Sequence, residues 1–270
     1  MTVNAKLVTM KNNNFINIAK EAAWRAGEYL KEKIHSTKVV RQKRGEIDLV
    51  TDADIKAQEI IIEIIKKHYP NHQILAEESE KEGIGEYTWA IDPIDGTSAY
   101  SCGLPTYSSS IALLKDREPI VGAVYMALKD EVIFAEKGKG GFGKRGRLRV
   151  GKKTNLKQAA VGFDPAYFNR EKGMKEIAAS LSDQTLILPM LWSQASALAL
   201  VAYGILDGYL QCGDPHVWDV AAGKLLVEET GGIISDWKGR SLDIFAINGY
   251  IAGNSSIYKQ LLEFIVKFSS

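Results

Sequence analysis

The sequence predicts a mixed α/β (α+β) protein, and three patterns carry that expectation. Residues 14 to 34 place Phe15, Ile18, Ala19, Ala22, Ala23, Ala26, Leu30 and Ile34 at helical spacing. Residues 107 to 150 change to runs rich in Val, Ile, Tyr and Ser, broken by Gly and Pro, which is the texture of an antiparallel meander. Beyond Gly151, strand-like and helix-like runs alternate. The expected organisation is therefore an N-terminal α+β unit over 1–150 and a C-terminal α/β unit over 151–270.

The individual elements follow in order. After the first helix, Asp54 to His68 reads as a second one, ended by Pro70. "QILAEES" and "YTWAID" read as strands that run into acids. "GKGGFG" crowds its glycines as a tight hairpin does. "AAVGF", "TLILP", "LDGYL", "GIISD" and "GYIAGN" read as strands. "SQASALALVAYGI" is a small-residue helix suited to close packing, and "VWDVAAGKLLVEETGG" is a helix ended by paired glycines. "SIYKQLLEFIVKF" is a terminal helix.

Composition narrows the function class. The chain has 270 residues, 46% hydrophobic and 25% charged, ordinary values for a globular protein. Lys plus Arg is 34 against 33 Asp plus Glu, a formal charge of +1. That balance disfavours bulk nucleic-acid or anionic-membrane binding, and Lys144 to Arg149 reads as a solvated hairpin edge. Cys102 and Cys212 stand far apart with no metal spacing, which suits a reducing compartment. No membrane-length apolar run and no apolar signal core occur, so the expected location is cytoplasmic.

Four acidic stretches adjoin apolar runs: Asp48 to Asp54, Glu77 and Glu78, Asp92 and Asp95, and Asp214 and Asp219. Singly, each acid reads as a cap, a turn or a surface charge. Converging without neutralising partners, they would repel one another or need cations. Oxygen ligands suit Mg²⁺ or Mn²⁺ rather than Zn²⁺. "DPIDGT" is the most specific piece. Pro93 fixes the backbone after Asp92, so Asp92 and Asp95 can face one point. The Ile94 carbonyl is a further oxygen, and Gly96 admits close approach of a ligand. Thr97 opens a helix whose free N–H groups suit a phosphate oxygen.

"DPIDGT", with "LVTDAD" before it, "AEES" between and "VWDVAAG" after, resembles the inositol monophosphatase family. That family belongs to a metal-dependent, lithium-sensitive phosphatase superfamily that includes fructose-1,6-bisphosphatases. The resemblance spans roughly residues 14 to 267 and implies a layered α/β/α/β/α sandwich, usually as a homodimer. It implies that Glu77, Asp92 and the Ile94 carbonyl hold one Mg²⁺. Asp92, Asp95 and Asp219 would hold a second, and the "RQKRGE" loop (Arg41 to Gly45) would reach a third in some members. Thr97 and Asp54 would orient the attacking water, and the N–H groups of Gly96 and Thr97 would grip the phosphate of a small phosphorylated metabolite. Glu78 would support Glu77.

The leaving-group positions depart from the family pattern. Ala99 and Tyr100 stand where Asn-Phe is common, and "WSQAS" replaces a Gly-Ser/Thr-Ala-Ala opening, so Gln194 replaces a small residue. Gln211 or Cys212 falls where inositol-specific members carry a sugar-binding glutamate, and Cys212 with Gln194 and Ser98 is carried as a substrate-binding candidate. Ser98, where nucleotide phosphatases of the superfamily often show Lys, favours a sugar or polyol phosphate. A nucleotide-type ester (3'-phosphoadenosine phosphate, NADP) or histidinol phosphate is the alternative. A non-catalytic phosphometabolite sensor would need a broken member of the set, and none is broken. A regulatory role toward RNA polymerase, known for some bacterial relatives, stands as a further alternative. His216 reads as a packing neighbour, and Trp89, Trp192, Trp218 and Trp237 as core or interface aromatics.

Overall fold

Apolar stripes on the helices set the layers. In the computed structural model, which describes residues 14–42, 49–79, 85–165 and 174–268, the N-terminal stripe becomes α1 (Phe15–Lys33). Beside it lies α2 (Asp52–His68). Between them a ribbon joins β1 (Val39–Gln42) to β2 (Leu49–Thr51). Thr51 caps α2 in a reciprocal box with Asp54, which explains why the helix begins two residues earlier than its apolar pattern.

A seven-stranded sheet follows in the order β3 (Gln73–Ala76), β4 (Tyr87–Asp95), β5 (Ser108–Lys115), β6 (Glu118–Met126), β7 (Glu131–Glu136), β8 (Gly140–Gly143) and β9 (Gly146–Arg147). β3 and β4 are parallel, and the rest is the expected antiparallel meander. Lys144, Arg145 and Arg147 are exposed at its edge hairpin.

A four-stranded sheet carries the second half, in the order β10 (Val161–Asp164), β11 (Gly208–Gln211), β13 (Tyr250–Gly253) and β12 (Ile233–Ser235). Its helices are α4 (Met174–Gln184), α5 (Gln194–Ala202), α6 (Val217–Glu229) and α7 (Ser255–Val266). The short α3 (Thr97–Ser101) follows β4.

Three cores fill the spaces. One face of the large sheet, with Trp89, Ile91, Ile111 and Tyr125, packs on α1 and α2. Its other face, with Ala90, Ala112, Val124 and Ile133, shares a core with α5, α6 and the Tyr209, Tyr250 and Ala252 face of the small sheet. The far face of the small sheet, with Phe163, Leu210 and Ile251, packs on α4 and α7. The layers are therefore α/β/α/β/α. Helices α5 and α6 show no single apolar stripe because each is covered on both sides. Gly122 permits the contact between the middle layer and the large sheet, since a Cβ there would come 2.9 Å from the Ala222 carbonyl oxygen.

Several elements differ from expectation. β4 runs on through Pro93 to Asp95 instead of ending at Asp92, with pairing that jumps from Asp92–Ser110 to Asp95–Ser108. Pro93 has no N–H to give, so the strand accommodates it at that irregularity. Segment 185–189 forms an isolated bridge at Ile187 rather than a full strand, and Pro189 accepts from Phe163 N but cannot donate. Helix α4 carries no cue that sequence reading used. Of the tryptophans read as core or interface residues, Trp89 and Trp218 are buried and Trp192 is 44% exposed. Among the described residues no helix is long and apolar enough to cross a membrane.

Candidate active site

Strand register assembles the acids. β3 ends beside Ile91, and the next residue, Glu77, donates its N–H to the Ile91 carbonyl at 3.2 Å. Glu77 thus leaves the sheet beside Asp92. Glu78 N donates to Gln58 Oε1 at 3.0 Å, which ties the same turn to α2. Asp54 occupies the third position of α2, and Asp219 the third position of α6. Each sits in the first turn, where the helix dipole favours a carboxylate.

Asp54 is fully buried. Its Oδ2 accepts from Thr51 N at 2.7 Å, and its Oδ1 accepts from the Thr97 hydroxyl at 3.2 Å. The same hydroxyl lies 3.0 Å from the Ile94 carbonyl oxygen. Gly96 makes this corner with φ of +92°, and a Cβ there would lie 2.7 Å from the Trp192 carbonyl oxygen. Only glycine meets both demands cheaply.

Asp95 is the most heavily bonded acid. Oδ2 accepts from Ser193 Oγ at 2.6 Å, Ala195 N at 2.6 Å and Ser108 Oγ at 3.1 Å, while Oδ1 accepts from Gln194 N at 3.1 Å. A residue at the end of β4 thereby caps α5, a helix of the other sheet's half. Asp219 Oδ2 accepts from His216 N at 2.8 Å, and the His216 ring stacks on Trp218 at 4.7 Å between centroids. Ser110, Asp92's cross-strand partner, donates its hydroxyl to the Trp218 carbonyl at 3.1 Å.

The electrostatics of this corner are one-sided. Burial drives the Asp92 carboxyl well above the usual range, and Glu77, Asp95 and Asp219 add to it. Burial likewise raises Asp219, helped by Glu77 and Asp95 against the His216 bond. Burial pushes Asp54 up to about 7 despite its Thr51 bonds. Asp95 rises to about 6, burial outweighing its four donors. The charges that act most strongly on Asp92 and Asp219 are all acids. Asp92 is 2% exposed, and its Oδ1 has no hydrogen-bond partner among the described residues. A buried oxygen without a hydrogen-bond partner, amid converging carboxylates, fits a hard divalent cation. Among the described residues no three His, Cys, Asp or Glu side chains close into a finished cage.

Other candidates fall outside this corner. Asp52 is exposed and held by Thr37 Oγ1 and Lys38 N, which makes it structural. Asp214 is exposed. Asp48 and residues 43–45 of the basic loop lie outside the described residues. Ser98 is partly buried, and its carbonyl accepts from Ser101 Oγ at 2.9 Å. Gln194 flanks the acids, and its Oε1 accepts from Tyr250 OH at 3.1 Å. Cys212 sits apart from them: it is 1% exposed in the far core, and burial pushes its thiol up. Alternation along β11 puts Gln211 on the face of Tyr209, toward the middle layer. Sequence reading gave Ser193 and Ser108 no role. A serine just before a helical run is a capping signal, so Ser193 was legible, but its bond to Asp95 was not.

Known proteins match along the whole of this framework. The model of the inositol monophosphatase family matches residues 11–269. A fructose-1,6-bisphosphatase/inositol-1-monophosphatase of Aquifex aeolicus is 33% identical over 259 residues, covering 94% of this chain and 96% of that protein. The Nus factor SuhB of Xylella fastidiosa is 34% identical, covering 93% and 94%. Among solved structures, an inositol monophosphatase from Anabaena superposes with a TM-score of 0.83 at 34% identity, covering 94% and 96%. The suppressor protein suhB of Bartonella henselae reaches 0.87 at 31%, covering 93% and 98%. The motif order, the five layers and these end-to-end matches agree: the chain belongs to the inositol monophosphatase family.

Proposed function

We propose that the chain is a phosphomonoesterase dependent on Mg²⁺, with Mn²⁺ as a substitute, acting on a small sugar or polyol phosphate. The observation that carries this is the buried Asp92 Oδ1, without a hydrogen-bond partner among the described residues, whose strongest charged neighbours are the acids Glu77, Asp95 and Asp219. Glu77, Asp92 and the Ile94 carbonyl would hold one cation, and Asp92, Asp95 and Asp219 a second. The cations, when bound, neutralise phosphoryl charge and make water in the site more acidic.

The chain's own groups supply the rest. The Thr97 proton has two acceptors, Ile94 O and Asp54 Oδ1, and with it given to either, the hydroxyl lone pairs can accept from a water and aim it at phosphorus. The first-turn N–H groups of α3 lack helical acceptors and suit phosphate oxygens, with Gly96 allowing the approach. Gln194 flanks the side on which the alcohol leaves.

The test is phosphate release from inositol 1-phosphate, fructose 1,6-bisphosphate, histidinol phosphate, 3'-phosphoadenosine phosphate and NADP, with Mg²⁺ or Mn²⁺, and with and without Li⁺. Release from a sugar or polyol ester that Li⁺ inhibits supports the reading. Silence on all five with both ions overturns it.

We further propose that two copies meet through Leu186, Ile187 and Met190, which are 61%, 57% and 42% exposed on one segment beside β10. Ile187→Asp should shift a dimer to monomer in light scattering, and an unchanged mass overturns that contact. We place the protein in the cytoplasm, where its two separate thiols stay reduced; recovery in a membrane or secreted fraction overturns that. We read Gly151 as the seam between the two sheets.

A further inference from the structure

Asp54 and Glu77 lie on separate elements, and one neutral side chain joins those elements. Gln58 stands one turn after Asp54 on α2, so both side chains leave the same face of the helix. Both are buried, Gln58 at 8% exposure. Asp54 meets Thr97 of α3. Gln58 meets the tight turn after β3, in which Ser79 N donates to the Ala76 carbonyl at 3.4 Å and Glu77 holds the second position.

Both ends of the Gln58 amide are engaged. Its Oε1 accepts from Glu78 N at 3.0 Å, and its Nε2 donates to Ser79 Oγ at 2.8 Å. A backbone N–H can only donate, so the Glu78 bond fixes which end of the amide is oxygen. The grip thus has one orientation and falls on the two residues directly after Glu77. On the other side, Glu77 N donates to the Ile91 carbonyl of β4 at 3.2 Å. Glu77 is therefore held between the strand that carries Asp92 and the helix that carries Asp54. The electrostatics record the same proximity: burial raises the Asp54 carboxyl first, and Glu77 and Glu78 add to that rise against the Thr51 bonds.

We propose that Gln58 is a positioning residue: its grip on Glu78 and Ser79 fixes Glu77 relative to Asp54 and so sets the affinity of the site for its first divalent cation. This rests on the phosphatase reading above and deepens it. An amide carries no charge and moves no proton at neutral pH, so its effect runs through Glu77. Without the grip, the turn must be ordered when the cation arrives, and that ordering weakens binding.

The experiment is a calorimetric titration of wild type, Gln58→Leu and Gln58→Glu with Mg²⁺ and no substrate. Leucine suits the helix and removes both bonds. Glutamate keeps both, because the Ser79 hydroxyl can turn from acceptor to donor. The expected result is a dissociation constant raised about tenfold or more in Gln58→Leu, with most of the affinity retained in Gln58→Glu. In turnover, the Mg²⁺ concentration for half-maximal rate should rise in parallel, while kcat and the ester KM at saturating Mg²⁺ stay within about twofold of wild type. Unchanged Mg²⁺ affinity in Gln58→Leu overturns the proposal, and so does an equal loss in Gln58→Glu. If Gln58→Leu gives no cooperative melt, Ser79→Ala takes its place, since it keeps the Glu78 bond; a weakening of about threefold supports the grip and none overturns it. If wild type binds Mg²⁺ but releases phosphate from no ester, the phosphatase reading falls and the calorimetric comparison still decides on Gln58. If wild type binds neither Mg²⁺ nor Mn²⁺, both fall.

Discussion

The Thr97 hydroxyl donates to Asp54 Oδ1 across 3.2 Å, joining the first turn of α3 to the first turn of α2. Forty-three residues separate the partners, yet both are set by helix starts: Thr97 follows the left-handed Gly96, and Asp54 sits in the Thr51 capping box. If this pair orients water, Thr97→Ala lowers kcat by about 10²-fold or more, with KM and melting temperature little changed. Thr97→Ser recovers most of the loss. Steady-state kinetics on the best ester from the screen would decide, and near-normal kcat in Thr97→Ala would remove the pair from the mechanism.

Asp92→Asn should abolish divalent-dependent phosphate release. It should also raise the melting temperature of the EDTA-treated protein at neutral pH, because a buried acid whose ionisation three neighbouring acids oppose is removed. The rise in melting temperature that Mg²⁺ gives the wild type should vanish in the variant. Calorimetric melts with EDTA and with Mg²⁺ check both points, and full turnover by the variant would refute the assignment.

Burial raises Asp54 to about 7 and Asp95 to about 6 in the metal-free fold. An acid whose folded pKa exceeds its unfolded value binds more protons when folded, so it favours the fold at low pH. That contribution is complete below the ordinary carboxylate range and is lost as pH climbs through 6 and 7. In EDTA, the melting temperature should therefore fall by at least about 5 °C between pH 5 and pH 7.5, and Mg²⁺ should reverse the fall. A profile that rises over this window would contradict the acid cluster.

Gly96→Ala combines a φ of +92° with a Cβ 2.7 Å from the Trp192 carbonyl oxygen. It should cost about 2 kcal/mol of stability and most of the activity together. Urea unfolding and kinetics on the same preparation test the coupling. Loss of activity at unchanged stability would show that Trp192 moves aside freely.

Cys212→Ser places a hydroxyl among Phe163, Leu210 and Ile251. It should destabilise by about 1–3 kcal/mol and leave KM unchanged, since the thiol faces the far core. A rise in KM at constant stability would return Cys212 to the substrate site.

Much of this was legible in residues that carry their own local rule. Thr51 and Asp54 spell a helix start, "DPIDGT" spells a constrained corner, and the apolar stripe of α1 spells a one-sided helix. What was not legible depends on contacts between distant parts. Asp95's capping of α5 needs residues nearly a hundred positions away to arrive at one point. The face taken by Gln211 rather than Cys212 needs the phase of β11, and a one-residue slip exchanges them. Pro93 looked like a strand end because single-sequence rules do not foresee the irregular pairing that tolerates it.

The bonds from Ser193, Gln194 and Ala195 to Asp95 also set an order of events at the ribosome. The meander that holds Asp95 is complete by residue 147, while its principal donors emerge more than forty residues later. Until then Ser108 is the one side-chain donor to Asp95 among the described residues, and Asp219 does not yet exist in the chain. A nascent or truncated product ending before α5 can carry the signature loop and still lack the proposed site. On the proposed reading, the reaction is thereby withheld until α5 and α6 have both been made.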